Sequence, residues 1–184
     1  MLNPKEIDNT WTLFLDRDGV INVERKGEYV SKPSEFIFLE GVQQAIKRLS
    51  SIFGIIVIAS NQRGIAKELM TVEDLRDVHA LMMEEIARNS GRIDKIYFCA
   101  DMNDDSPNRK PNPGMALHAK KDFPQIDFSK SIMVGNKLSD MQFGRNAGMF
   151  TVFIASTNPD TAFPHPLIDA RFDSLLEFAT RISL

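Results

Sequence analysis

The chain has 184 residues, 43% of them hydrophobic and 26% charged, and this length suggests a single domain, residues 1–184, with a sizeable core. The formal charge of −3, from 22 basic and 25 acidic side chains, offers no electrostatic footprint for nucleic acid or an anionic membrane, so neither is expected as a partner. One cysteine, Cys99, excludes an intrachain disulfide and suits a reducing, cytoplasmic compartment.

In chain order, the polar stretch from Met1 to Trp11 lacks the apolar core of a signal peptide. No later run approaches the about 20 apolar residues of a membrane span. Thr12–Asp16 reads as strand one, and Val20–Ser31, β-branched around Gly27, as a β-hairpin flap. Gly41–Ile52 has apolar residues at Val42, Ala45, Ile46 and Leu49, a helical period. Gly54–Ser60 is nearly all β-branched or apolar, as expected of a strand buried on both faces. Thr71 with Asp74 three residues on predicts a capped helix running to about Asn89. Lys95–Ala100 reads as strand three and the polar, Pro-rich Asp101–Pro113 as a loop. Gly114–Lys121 predicts a short helix, Ser131–Val134 strand four, Leu138–Ala147 a helix and Thr151–Ile154 strand five. Ile168–Phe172 and Ser174–Arg181 read as a last strand and helix. This alternation predicts an α/β fold, a three-layer Rossmann-like, mostly parallel sheet with helices on both faces. No connection is long enough for a cap domain, so the site should be open or closed only by small loops.

The polar residues of interest fall just after four strands: Asp16 and Asp18, then Ser60, Asn61 and Gln62, then Arg109 and Lys110, then Asn136, Lys137 and Asp140. A parallel sheet brings all four sets to one edge. Two acids at i and i+2 repel unless a cation lies between them, and a hard, oxygen-liganded ion such as Mg²⁺ fits. Asp16 can then attack phosphorus while Asp18 protonates the leaving oxygen and later deprotonates water. Ser60 would hold phosphate oxygens, and Lys110 would neutralise charge. Mg²⁺ would bridge Asp16 and the phosphate, with the Asp18 carbonyl and Asn136 as further ligands. Asp140 would orient Lys110 or Lys137.

This constellation resembles the haloacid dehalogenase (HAD) superfamily of phosphatases, through DRDG at Asp16–Gly19, SN at Ser60–Asn61, RKP at Arg109–Pro111 and GNKLSD at Gly135–Asp140. The stretches FLDRDGVIN, SNQRGIA, RKPNPGM and VGNKLSDM resemble one branch, that of the heptose 1,7-bisphosphate phosphatases and histidinol-phosphatases. The resemblance implies a capless fold, Mg²⁺ dependence and release of phosphate from a small phosphorylated sugar, with D-glycero-D-manno-heptose 1,7-bisphosphate first and histidinol phosphate as the alternative. It also implies that Arg109 and Lys110 contact substrate and phosphate, with Asn61 and Arg63 as further candidate substrate contacts.

Two departures stand out. The family usually has Asp where this chain has Asn136. At an effective dielectric of about 20, a carboxylate about 4 Å from a divalent ion is worth several kcal/mol before desolvation. Weaker metal binding is therefore expected, and a phosphosugar-binding protein with little turnover is the alternative of another class. Many members also carry a Cys/His zinc cluster after strand three, where this chain has only Cys99, so no zinc is expected. Blander readings compete: Ser60 and Asn61 as a helix cap, Arg109 and Lys110 as a solvated pair, Asn136 as a turn residue. Arg63 faces either substrate or solvent. Arg17 reads as an exposed neighbour, and His79 as structural or on the surface. Oligomeric state is not legible.

Overall fold

Strand β1 (Thr12–Leu15) is Thr-Leu-Phe-Leu and is buried along its whole length. A strand with both faces covered needs apolar residues at every position, not at alternate ones. In the computed structural model, which describes residues 3–182, β1 lies at the centre of a six-stranded sheet. Met1 and Leu2 of the polar leading stretch, and residues 183–184, lie outside the described residues. β1 pairs in parallel with β2 (Ile55–Asn61) on one side and β4 (Ser131–Gly135) on the other. β3 (Lys95–Cys99) extends the sheet beyond β2, and β5 (Phe150–Ile154) and β6 (Ala170–Phe172) extend it beyond β4. The order β3-β2-β1-β4-β5-β6 reverses direction between β1 and β4, and the crevice at such a switch point is where open α/β sheets bind ligands.

Side-chain alternation along the strands sorts the core into two layers. Leu13, Leu15, Ile56, Ile58, Ile132 and Val134 face α1 (Val42–Ser50), α2 (Val72–Arg88) and α5 (Leu175–Ile182). Phe14, Val57, Ala59 and Met133 face α3 (Gly114–Asp122) and α4 (Leu138–Ala147). The expected three-layer architecture is present. Thr71 caps α2 as its spacing predicts: its hydroxyl accepts from the Asp74 N–H, while the Asp74 carboxylate accepts from the Thr71 N–H.

The flap departs from expectation. Val20–Ser31 does not fold back on itself as a hairpin. The chain instead returns from further on: Val23 N–H donates to the Ile37 carbonyl, and Leu39 N–H to the Ile21 carbonyl. Between these points a wide loop is tied down by Arg25–Glu35 at 2.9 Å and by Ser31 N–H to Glu35 at 3.0 Å, on a short 3₁₀ turn at Pro33–Glu35. No described helix is long and apolar enough to cross a membrane.

Candidate active site

Asp16 leaves β1 with its N–H still donating to the Val134 carbonyl at 2.9 Å, so the sheet holds its position. The chain then turns sharply, with the Arg17 carbonyl accepting from the N–H groups of Val20, Ile21 and Asn22. Gly19 makes this turn at φ +85, and a Cβ there would lie 2.1 Å from Asn136 Nδ2. Only glycine meets both demands.

Behind the turn, three charges stand in a row. Lys110 Nζ donates to Asp16 Oδ1 at 2.8 Å and to Asp140 Oδ1 at 2.7 Å, with all three side chains buried. Asp140 also accepts the N–H groups of Asn136 and Lys137 through Oδ2, which caps the start of α4. Two carboxylates share one ammonium, so the row carries one uncompensated negative charge out of water. Burial, with repulsion from Asp140 and Asp18, pushes Asp16 up to about 7 despite Lys110. Burial also weighs against the Lys110 ammonium, but Asp140 and Asp16 outweigh it and hold it protonated. A site in this state accepts a proton or a cation.

Asp18 is turned the other way. Arg17 Nη2 donates to both its oxygens at 3.0 Å, Asn22 Nδ2 to Oδ1 at 3.0 Å, and Gln62 Nε2 to Oδ2 at 2.9 Å. Burial alone would raise its pKa, but Arg17 and these hydrogen bonds hold it below the ordinary carboxylate range. Arg17 is not the exposed neighbour expected: its side chain is 1% exposed. It lies between two acids that follow a buried strand, so alternation sends it toward α2, where Nη1 meets His79 Nε2 at 3.2 Å. Burial and Arg17 pull His79 down to about 4, so the ring is neutral and accepts from Arg17. Gln62 Nε2 also donates to Ser60 Oγ at 2.8 Å, which leaves the Ser60 hydroxyl proton for another acceptor.

The third station is braced by the second. Asn61 uses both ends of its amide on the Lys110 backbone, accepting its N–H at 3.0 Å and donating to its carbonyl at 3.1 Å. It thereby aims Lys110 rather than spending its amide on the cavity. Arg63 and Arg109 both converge on the exposed Asp104 carboxylate, Arg109 through Nε at 3.0 Å. Arg63 Nε and Arg109 Nη1 are buried without a partner among the described residues. These side chains line a cavity of about 430 Å³ whose floor holds Asp16, Asp18 and Lys110.

At the fourth station Asn136 is fully buried, with its Oδ1 unpartnered among the described residues. Lys137 sends its ammonium to Glu24 Oε1 at 2.5 Å, so Asp140 is left to orient Lys110. A hard cation fits this chemistry: Asp16 needs charge neutralised, and the Asn136 carbonyl needs a partner. Among the described residues no three His, Cys, Asp or Glu side chains form a cage, so a cation here would draw on donors other than such a cluster. Cys99 is buried, with Sγ near Asp101 and Ser106.

A profile of the polynucleotide kinase 3 phosphatase family matches residues 12–161. The chain belongs to this family. It is 39% identical over 147 residues to the D-glycero-alpha-D-manno-heptose-1,7-bisphosphate 7-phosphatase of Campylobacter jejuni, covering 80% of this chain and 83% of that protein. It is 35% identical over 173 residues to the enzyme of the same name from Mycobacterium bovis, covering 94% and 91%. The crystal structure of D,D-heptose 1,7-bisphosphate phosphatase from B. bronchiseptica, complexed with magnesium and phosphate, matches with a TM-score of 0.85 at 29% identity, covering 94% of this chain and 98% of that one. In this member of the family the four stations expected from the sequence lie around one sheet edge, joined by Glu24 and Asp104, which the sequence reading did not name, and Arg17 is buried instead of exposed. Strand alternation could have found Arg17. Nothing local marks the other two, because their partners lie far away in the chain.

Proposed function

We propose that this chain is a Mg²⁺-dependent phosphomonoesterase that removes the 7-phosphate of D-glycero-D-manno-heptose 1,7-bisphosphate through an aspartyl-phosphate on Asp16. One domain, residues 1–184, carries the activity, and the lone buried Cys99 suits a cytoplasmic setting. The observation that carries this reading is Asp16, bonded to Lys110 at 2.8 Å beneath a cavity ringed by arginines. A net charge of −3 gives a polynucleotide little overall attraction, which favours a small sugar over the family's namesake substrate.

Asp16 attacks phosphorus, and the bond from phosphorus to the sugar oxygen breaks as the new one forms. Asp18 gives that oxygen its proton. The free protein holds Asp18 ionised, so the proton arrives with the substrate, whose phosphate has a second pKa of about 6. The Asp18 carboxylate then takes a proton from water as the water attacks phosphorus, which frees phosphate and Asp16. Lys110 and the Ser60 hydroxyl hold phosphoryl oxygens. Asp16, the Asp18 carbonyl and Asn136 Oδ1 would hold Mg²⁺, which screens charge between carboxylate and phosphate and polarises the phosphoryl oxygens. Arg63 and Arg109 take the distal phosphate, with Asp104 standing in its place in the free protein.

Phosphate release from heptose bisphosphate, histidinol phosphate and simple phosphate esters, with and without Mg²⁺, tests this. Heptose bisphosphate should lead, and Asp16→Asn should abolish turnover. Wild-type turnover far below about 1 s⁻¹ on every ester would favour a binding protein instead.

A further inference from the structure

We infer that Glu24 belongs to the metal site, as the residue that turns the Asn136 amide and supplies the charge this amide lacks. The inference rests on the Mg²⁺ reading of the same site. Nearly every polar atom of Asn136 is engaged. Its N–H donates to Asp140 Oδ2 at 3.2 Å, and its carbonyl accepts from Asn158 Nδ2 at 2.8 Å. Its Nδ2 donates to Glu24 Oε2 at 3.1 Å and to Thr157 Oγ1 at 2.5 Å. Only Oδ1 remains, buried and without a partner among the described residues, in a side chain that is 0% exposed.

Glu24 decides which end of the amide is which. An ionised carboxylate only accepts, so nitrogen must face it and oxygen must face away. Glu24 is itself held, with Lys137 Nζ at 2.5 Å from Oε1, and it lines the cavity that contains Asp16. A neutral amide is a poor ligand for a hard divalent cation, but a carboxylate bonded to its far end raises the basicity of the oxygen and adds negative charge one bond further out. The pair Glu24–Asn136 thus does the work of a single carboxylate, split between an inner carbonyl and an outer charge. The segment after β5 contributes Thr157 and Asn158 as further braces.

The test is binding of Mn²⁺ by EPR and of Mg²⁺ by calorimetry, without substrate, in wild type, D16N, E24Q, E24A, N136D and E24Q/N136D. Thermal melts and circular dichroism confirm that each variant is folded. Wild type should bind, and D16N should lose binding. E24Q, which keeps an acceptor but loses the charge, should weaken binding about tenfold, and E24A, which loses both, nearer a hundredfold. In N136D the inner ligand carries its own charge and no amide is left to polarise, so Glu24 has less to add: E24Q should weaken binding clearly less in the N136D background than in wild type. Wild-type and D16N behaviour as expected, with E24Q and E24A within about threefold of wild type, would overturn the role of Glu24 and leave the metal reading intact. So would E24Q weakening binding equally in both backgrounds. Failure of wild type to bind, or equal binding by D16N, would remove the metal reading and the inference with it.

Discussion

Replacing Arg17 with methionine removes the buried cation bonded to Asp18. The guanidinium makes two bonds of 3.0 Å to that carboxylate, one of 3.2 Å to His79 and one of 3.4 Å to Gln62. Breaking a buried charged pair by deleting one partner costs about 3–5 kcal/mol. Asp18 is 24% exposed, and Asn22 and Gln62 still donate to it, so the cost falls at the low end, about 3 kcal/mol. For a chain of this length that is a fall in Tm of about 6–12 °C, measurable by calorimetry. Activity reports separately on position. A freed Asp18 delivers its proton poorly, so kcat should drop about ten- to a hundredfold on a sugar phosphate, and less on an aryl phosphate whose leaving group needs no proton. Arg17→Lys, which keeps charge but not the planar fork, should recover part of the stability and little of the kcat. A Tm within about 2 °C of wild type would refute the energetic reasoning. Equal kcat losses on both substrates would refute the positioning role.

Further expectations concern the rest of the cavity. Lys110→Met leaves two buried carboxylates without their shared cation and should abolish turnover and lower Tm, with Mg²⁺ restoring part of the Tm, as thermal melts with and without the ion would reveal. Because burial holds Asp16 near 7 in the folded protein against 3.8 ordinarily, the folded state binds that proton more tightly than the unfolded chain does. The Asp16 contribution to metal-free stability should therefore fall as pH rises from about 4 to 7. Unfolding in chelator should show wild type losing stability relative to Asp16→Asn across that window, and a flat difference would contradict the shift. Asp104→Ala frees Arg63 and Arg109, so KM for a bisphosphate should drop with kcat little changed, and steady-state kinetics against a monophosphate control would expose an effect unrelated to the second phosphate.

Much of the fold is legible because parallel strands buried on both faces are written as continuous apolar runs: Gly54–Ser60 and Ser131–Val134 could hardly be anything else. The Thr71–Asp74 capping pair is legible because both partners lie within one turn. The flap was misread because the partners of Val23 and Ile21 are Ile37 and Leu39, outside the window in which Gly27 suggested a hairpin. At the site, motif positions are readable but side-chain direction is not. Asn61 turns to the Lys110 backbone 49 residues away, and Asn136 to Glu24 112 residues away. Such contacts depend on the assembled sheet edge, not on local spacing.

Trapping the phosphorylated enzyme tests the central chemistry most directly. Wild-type protein with Mg²⁺ and heptose bisphosphate, quenched in acid within a single turnover and reduced with borohydride, should carry homoserine in place of Asp16 in its peptide map, with Asp18 and Asp140 unchanged. Rapid phosphate release with Asp16 intact at every quench time, or the label on another residue, would contradict covalent catalysis by Asp16.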